Sequence, residues 1–433
     1  MCFAMKNRIL FRTARLAAFG IASVAFVVAG PAVAAPPNLS LISSFTGRGA
    51  AGNGAIARGD LLHVGGGKYF GTTYLGGRHG IGNIYEFDSL SGGIINKADF
   101  DFTNGASPAY GALAPLPNGN YLGATPAGGS YSAGVIYEFN PQAGSITKRA
   151  DLNCAPSTTC GAHTNPVPAG GSKFLGVAQY GGAAYKGAIY EYDFSTSALS
   201  FKASFGGAVG IGPIGALVQD SATGLFFGTT QGGGANGYGT VYAYNSVTGV
   251  ITHRADFNAA IGQPSLSMIS AGTGKYIGTT ITGGIDNGGS IYLFDSTKDS
   301  LTLLQSFGRD QGLRLPSSLL SIGDDNFLGT SYENQGLITS CCGGVFRYNL
   351  AWNQVVDIVK FPGMRVWGVF LFLAWCRVCL VRITVSRPVV VLMELEPFIP
   401  THLRLPCQRQ SQVPCRCSPR LRPLAPAAGC GCA

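Results

Sequence analysis

The sequence predicts an all-β protein, a β-propeller of about six four-stranded blades. Three observations predict it: a phrase that recurs at a constant spacing, four short strand patterns in each period, and a composition rich in glycine and poor in charge. The phrase is GTT-like, and the gaps between its first glycines are 52, 53, 52, 50 and 51 residues. A repeat of this length is a structural unit. The glycines are Gly71, Gly123, Gly176, Gly228, Gly278 and Gly329.

The unit over residues 112–152 shows the four strands. "ALAPL", "YLGAT", "GVIYEFN" and "ITKRADL" are short apolar or alternating runs, separated by turn sequences such as "PNGN" and "PQAGS". In the third run Ile136 and Glu138 share one face, and Tyr137 and Phe139 share the other. A lone sheet of this kind exposes two apolar faces, which stacking of blades around an axis buries. The period is close to that of kelch propellers.

Two positions of the third strand repeat. An aromatic residue follows the motif glycine by 14 residues in five units and by 17 in the sixth, where three residues are inserted. The strand then ends in Asp or Asn, whose side chain we expect to accept a backbone N–H two residues on and so to start the hairpin turn. These residues are Asp88, Asn140, Asp193, Asn245, Asp295 and Asn349. Half of them are neutral Asn, which does not favour calcium.

The chain divides into three parts. Residues 1–34 form a predicted signal peptide, with a basic start, an apolar run too short to span a membrane and a small-residue "AVA" cleavage pattern. Residues 35–361 form the propeller. Its opening phrase "LSLISSF" matches the fourth strand of other units, so we expect it to pair with the last blade as a detached outer strand. A seventh blade in a parent protein with an unaltered C-terminal region is therefore an alternative.

The third part, residues 362–433, is a tail of different composition. It holds nine Arg, no Lys and seven of the twelve Cys, and residues 407–433 show no strand or helix period. Its apolar run "VWGVFLFLAWC" has 11 residues, too few for a transmembrane span. The composition resembles GC-rich DNA read out of frame, so we expect a tail that is disordered or poorly packed.

The positive charge lies at the two ends of the chain. The net charge is +9, of which +4 falls in residues 1–34 and +7 in residues 362–433. Subtracting these eleven charges leaves −2 for residues 35–361. A mildly acidic body argues against a nucleic-acid partner.

The phrase GTT-x-x-GG-x-x-x-x-G-x-[IV]-Y, repeated behind a signal peptide, resembles the Gloeo/Verruco tandem repeat of exported bacterial proteins. The resemblance covers residues 39–361. It implies an extracellular location or the bacterial cell surface, and often a C-terminal sorting signal of the PEP-CTERM type. This sequence has no "VPEP" phrase near its end.

No motif in the sequence indicates catalysis, a cofactor or a metal. "GGGANG" (232–237) has dinucleotide-site spacing, but no βαβ pattern surrounds it, so it is a turn. The GTT hydroxyls recur in most units, which favours hydrogen bonding to neighbouring backbone over chemistry. The histidines lack metal-ligand spacing. Asp324 and Asp325 are the one adjacent acid pair in the repeats, and we expect them to be solvated.

The candidate binding residues lie where the repeat varies, in the loops between second and third strands. In propellers these loops share one face with the connections that enter each blade. Aromatic and polar residues around a shallow funnel suit a carbohydrate or a peptide. The sequence therefore predicts a secreted or cell-surface binding module, with an extracellular glycan lyase or hydrolase and a structural surface-layer component as the alternatives. The candidates are Arg78, His79, Tyr131, Tyr185, Asn236, Tyr238, Asp286 and Asn287.

Two cysteine pairs occur in or beside the repeats. Cys154 and Cys160 flank a short loop between blades, and in an exported protein this predicts a local disulfide. The state of the adjacent Cys341 and Cys342 stays open.

We predict that the bond between Ala34 and Ala35 is cleaved on export, because the small-residue pattern ends there. N-terminal sequencing of the mature protein from its native host checks this. A mature chain that starts at Met1 or Met5 would contradict the prediction.

Overall fold

The motif glycines lie on the second strands of six four-stranded antiparallel blades arranged in a ring. The computed structural model describes residues 38–47, 52–57, 60–108, 112–153, 161–308, 314–332, 344–360, 379–384 and 388–393. Cys154, Cys160, Cys341, Cys342 and the predicted signal peptide lie outside these residues. No helix within them is long and apolar enough to cross a membrane.

Each blade runs in chain order from its first strand to its fourth, so each strand pairs with the next one along the chain. Blade 1 differs in that two short segments, β2 and β3, both pair with β4. Its strands are β2 (Ala55–Ala57), β3 (Leu62–Gly65), β4 (Lys68–Leu75), β5 (Asn83–Asp88) and β6 (Ile94–Asp99). Blade 2 comprises β7 (Ala114–Pro115), β8 (Tyr121–Ala124), β9 (Val135–Asn140) and β10 (Ser145–Asp151). Blade 3 comprises β11 (Val167–Pro168), β12 (Lys173–Ala178), β13 (Ala188–Asp193) and β14 (Ala198–Ser204).

The last three blades follow the same order. Blade 4 comprises β15 (Ile211–Gln219), β16 (Phe226–Gly232), β17 (Thr240–Asn245) and β18 (Val250–Asp256). Blade 5 comprises β19 (Ile269–Ser270), β20 (Lys275–Thr280), β21 (Ser290–Asp295) and β22 (Ser300–Ser306), with a 3-10 turn at Ile285–Asn287. Blade 6 comprises β23 (Arg314–Gly323), β24 (Asn326–Tyr332), β25 (Gly344–Asn349) and β26 (Gln354–Lys360). The predicted fold class is confirmed.

A further three-stranded sheet joins the two ends of the chain. It consists of β1 (Asn38–Ser44), β27 (Cys379–Thr384) and β28 (Pro388–Met393), with β27 in the middle. The opening strand therefore pairs with a strand of the tail rather than with blade 6. The composition predicts a disordered or poorly packed tail, but the segments "CLVRIT" and "PVVVLM" are rich in β-branched and apolar residues, which favour strands.

The repeated glycine exists because an aromatic ring lies on it. The third-strand aromatic of each blade faces the motif glycine of the adjacent strand, and a Cβ on that glycine would overlap the ring. All six rings are fully buried. No other residue fits at the glycine without moving the ring, which explains why the phrase is retained. The pairs are Gly71–Tyr85, Gly123–Tyr137, Gly176–Tyr190, Gly228–Tyr242, Gly278–Tyr292 and Gly329–Phe346.

The other side of the same ring is covered by the preceding blade. A phenylalanine just after the fourth strand packs edge-on or tilted against it, with ring centroids 4.7–5.0 Å apart. Leu152 takes this place between blades 2 and 3. Phe45, after β1, makes the same contact with Tyr85 at 4.8 Å. The segment after β1 therefore covers the buried ring of blade 1 in the way that the segment after a fourth strand covers the ring of the next blade. The ring pairs are Phe100–Tyr137, Phe205–Tyr242, Phe257–Tyr292 and Phe307–Phe346.

A β-bulge in the fourth strand places a basic residue beside a buried glutamate. In blade 2 the register skips Arg149, whose guanidinium bonds Glu138. Lys97 and Lys202 occupy the same bulge in blades 1 and 3 and lie 3.8 and 3.6 Å from the glutamates of their own blades. Blade 4 lacks the glutamate, and Arg254 reaches the next blade instead, donating to the Ser296 carbonyl at 3.1 Å.

The Asp and Asn residues that end the third strands start the turns as predicted. In five blades the side-chain oxygen accepts the backbone N–H two residues on, at 2.8–3.0 Å. In blade 6 Asn349 accepts the N–H of Trp352, three residues on. The hydroxyls of Ser195 and Ser172 also donate to Asp193, and these bonds, with smaller contributions from the backbone N–H groups, lower its pKa to about 2. The oxygens are thus acceptors for backbone.

We predict opposite effects for two substitutions at one contact. Gly228→Ala should lower the free energy of unfolding by at least about 2 kcal/mol, because its Cβ overlaps the Tyr242 ring. Tyr242→Phe should leave it unchanged or raise it, because the buried hydroxyl finds no partner among the described residues, and blade 6 has Phe346 there. Urea unfolding measures both changes.

Gly207→Ala is the matched control, since its Cβ would meet nothing within 4 Å. Equal stability of Gly228→Ala and this control would contradict the contact.

Candidate ligand-binding face

The loops between second and third strands lie on one face with the connections between blades. Backbone hydrogen bonds join the two sets: Ser107 N to Ile81 O at 2.7 Å, and Gly129 N to Phe102 O at 2.7 Å. The turns between third and fourth strands bond instead to the turns between first and second strands, as Ser89 N does to Gly67 O at 2.9 Å. We call the first set the loop face and the second set the turn face.

The second threonine of the GTT phrase fixes where each loop ends. In blades 1, 2, 4 and 5 its hydroxyl oxygen is buried and accepts the N–H of the first third-strand residue at 2.8–3.2 Å. Its carbonyl leaves no room for a Cβ on the glycine before that strand, as at Gly134 and Gly239, whose φ angles are +100° and +95°. The hydroxyls therefore serve the backbone, as predicted. They are those of Thr73, Thr125, Thr230 and Thr280.

The last residue of the fourth strand holds the middle of the loop. Its side chain accepts a backbone N–H of the loop at 2.7–2.9 Å in four blades. Partial burial alone would raise the pKa of Asp151, but bonds from Lys148 and Ser130 hold it below the usual range. The loops of the face are therefore bound to their own blades. The pairs are Arg78–Asp99, Ser130–Asp151, Ala183–Ser204 and Ala235–Asp256.

The eight predicted candidates all lie in these loops, but they differ in what their side chains do. Arg78 and His79 are exposed in blade 1. Tyr131 and Tyr185 are 53% and 45% exposed in blades 2 and 3. These four side chains are presented to solvent.

The other four candidates have structural contacts. Asn236 donates to the Phe257 carbonyl at 3.0 Å, and Tyr238 is half-buried against the core between blades 4 and 5. Asn287 accepts the Gly283 N–H at 2.7 Å. Asp286 and Asn287 both have a φ of 54°, in the turn at Ile285–Asn287. These residues shape the loops, whatever else they do.

Two exposed aromatic residues of the face were missed by the sequence reasoning. Tyr180 begins the blade 3 loop and is 49% exposed, and Phe102, in the connection from blade 1 to blade 2, is 48% exposed. With Tyr131 and Tyr185 they place four exposed rings on the loops of blades 1 to 3. Their aromatic identity at varying repeat positions was the available signal.

A row of glutamine side chains was also missed. Nε2 of Gln179, after the second strand of blade 3, donates to Oε1 of Gln231 in blade 4 at 2.8 Å. Nε2 of Gln263, in the connection to blade 5, donates to the carbonyl of Gln231 at 3.2 Å. Gln179 and Gln231 occupy the position directly after the three-residue GTT phrase, where the repeat varies. The variation of the repeat at this position was the feature of the sequence that could have identified these two glutamines.

Metal ligands do not converge in the described residues: no three His, Cys, Asp or Glu side chains gather within them. Asp324 and Asp325 are exposed, on a turn where both φ angles are positive. The acids of the loop face that end fourth strands accept backbone N–H groups, as described above.

Comparison with known proteins identifies the repeat. Residues 162–366 match the model of the Gloeobacter/Verrucomicrobia repeat, which confirms the resemblance of the motif. No curated protein matches the chain significantly. Among solved structures, the crystal structure of TolB from Acinetobacter baumannii is similar over 66% of this chain, with 14% identity and a TM-score of 0.40. This chain spans 60% of the length of that TolB chain.

We predict that Asp151→Ala lowers the free energy of unfolding by about 1–2 kcal/mol at pH 7, because the ionised carboxylate holds Ser130 and Lys148. The lowered pKa means that this stabilisation is complete above the ordinary Asp pKa of about 3.9 and is lost as pH falls through the folded value. The difference from wild type should therefore shrink toward pH 2. Urea unfolding at several pH values measures it.

Ser200→Ala, at an exposed fourth-strand position of blade 3, serves as the control and should have no effect at either pH. A loss for Asp151→Ala that is equally large at low pH would show that packing, not charge, is responsible.

Proposed function

We propose that this protein is an exported binding module that holds its ligand on the loop face. The observation that carries the proposal is the contrast between the two parts of each repeat. The glycine and the buried aromatic ring are present in all six blades and the buried threonine in four, whereas the loops differ from blade to blade and present exposed side chains. A surface that varies on a fixed scaffold is typical of binding proteins.

The exposed rings support the choice of face. Phe102, Tyr131, Tyr180 and Tyr185 lie on the connected loops of blades 1 to 3, at 45–53% exposure. Aromatic side chains offer a large contact area at a small entropic cost, and tyrosine adds a hydroxyl for hydrogen bonding. Such a surface suits a carbohydrate or a protein segment as the ligand.

The proposal places the protein outside the cytoplasm, in the medium or at the cell surface. Its support is the sequence of residues 1–34, with four basic residues, an apolar run and a small-residue cleavage pattern. The acidic balance of residues 35–361 supports a ligand other than nucleic acid.

We propose binding rather than catalysis. General acid–base chemistry on glycans needs two carboxyl groups on either side of the scissile bond. The carboxylates of Asp99, Asp151 and Asp256 at the loop face are instead engaged by backbone N–H groups of their own loops. A glycan lyase or hydrolase remains the rival that the experiment must test.

The proposal predicts that face variants lose binding and keep stability. Arg78→Ala with His79→Ala, and Tyr131→Ala with Tyr185→Ala, should each weaken binding at least about tenfold, because exposed anchors make the contact. Glycan and peptide arrays identify the ligand, and calorimetry measures affinity. The melting temperature should change little for the tyrosine pair, whose rings are exposed.

Trp352→Ala is the control, an exposed aromatic of the turn face. Unchanged binding by both face variants would place the site elsewhere. If the protein releases new sugar ends from a bound glycan, it is an enzyme and the binding-module proposal is wrong.

A further inference from the structure

Gln179, Gln231 and Gln263 form a row on the loop face, and some of their amide groups are not used in hydrogen bonds within the described residues. Gln179 and Gln263 each use Nε2, and Gln231 uses its side-chain Oε1 and its backbone carbonyl. Within the described residues, Oε1 of Gln179, Nε2 of Gln231 and Oε1 of Gln263 make no further hydrogen bond. The row therefore offers an acceptor, a donor and an acceptor from three successive blades.

The backbone under this row is fixed by hydrogen bonds. Gln179 donates its N–H to the Gly161 carbonyl at 3.1 Å, and the Gln263 carbonyl accepts from Ile281 at 2.9 Å. Gln231 lies on β16 itself. The three amides are thus carried by hydrogen-bonded backbone and by each other, which limits the entropy lost on binding.

The three segments that carry the row contain no charged side chain, and the Asp256 carboxylate accepts the Ala235 N–H from outside them. Segments 179–185, 231–239 and 261–265 contain no Asp, Glu, Lys, Arg or His. Tyr180, with its half-exposed ring, follows Gln179 directly. Uncharged amides that donate and accept, next to a flat ring, match a ligand whose hydroxyls do both and whose ring presents C–H groups.

We propose that the row of Gln179, Gln231 and Gln263, with Tyr180 beside it, is the recognition site for a neutral carbohydrate. This inference rests on the proposed binding function and names its ligand class. A charged glycan or an ionic peptide segment would find no counter-charge in these segments. A sugar ring lies on Tyr180, and its hydroxyls bond the free amide atoms of the row.

The test uses the full chain and a panel of neutral oligosaccharides, an acidic oligosaccharide and the peptide array, with affinities from calorimetry. Gln231→Leu, which keeps the size and removes the amide, should weaken binding of a neutral oligosaccharide at least about tenfold, as should Tyr180→Ala. Tyr180→Phe should retain binding, because the ring remains. Gln219→Leu, exposed at the end of β15 toward the turn face, is the matched control and should bind as wild type.

Gln231 also supports Gln179, so melting temperatures and a second variant, Gln263→Leu, separate lost recognition from lost structure. Loss of binding in Gln263→Leu at an unchanged melting temperature supports the proposal.

Three results overturn it: wild-type affinity in both glutamine variants, preference for the acidic oligosaccharide or a peptide, or no neutral saccharide bound at about 10 mM. If the double variant Tyr131→Ala with Tyr185→Ala loses binding while the glutamine variants retain it, this inference fails and the binding function of the face stands.

Discussion

The contact on which the fold depends is a buried aromatic ring held between a glycine and the preceding blade. In blade 4 the ring of Tyr242 lies over Gly228 and against Phe205. The glycine lets the ring lie flat on its own sheet, and the phenylalanine covers the ring from the neighbouring sheet. One side chain thus determines both the packing within a blade and the packing between blades. The motif glycine returns every 50–53 residues, which lets the blades stack with nearly the same geometry.

A scaffold held in this way leaves other positions free to change. The bulged basic residue pairs with a glutamate in blades 1 to 3, yet blade 5 has leucine at both positions, Leu293 and Leu304, and the blade still forms. The ion pair within a blade is therefore dispensable, whereas the buried third-strand ring is present in all six blades. The same freedom extends to the loops, where four blades hold the loop through Asp or Ser while its outward residues range from arginine to tyrosine.

Local and repeated features were predictable from the sequence, and features that join distant parts of the chain were not. The motif glycine, the buried third-strand ring and the turn-starting Asp or Asn recur in all six units, so comparison of the copies reveals their role. The bond from Gln179 to Gln231 joins side chains of different blades, and only the ring arrangement brings them together. Asn236 was predicted to bind ligand because it is polar and in a variable loop, but the sequence could not show that it bonds the Phe257 carbonyl.

The pairing of β1 with β27 has a consequence for how the molecule is made. Asn38 lies opposite Thr384, so the first strand to leave the ribosome must wait for nearly the whole chain before its partner exists. Each blade, by contrast, pairs strands that are adjacent in sequence and can form as it emerges. Until then β1 keeps an unpaired edge, a template on which another chain could add a strand. Slow synthesis would therefore lengthen the time during which the nascent chain can aggregate through β1. A chain terminated before β27 would keep that edge unpaired.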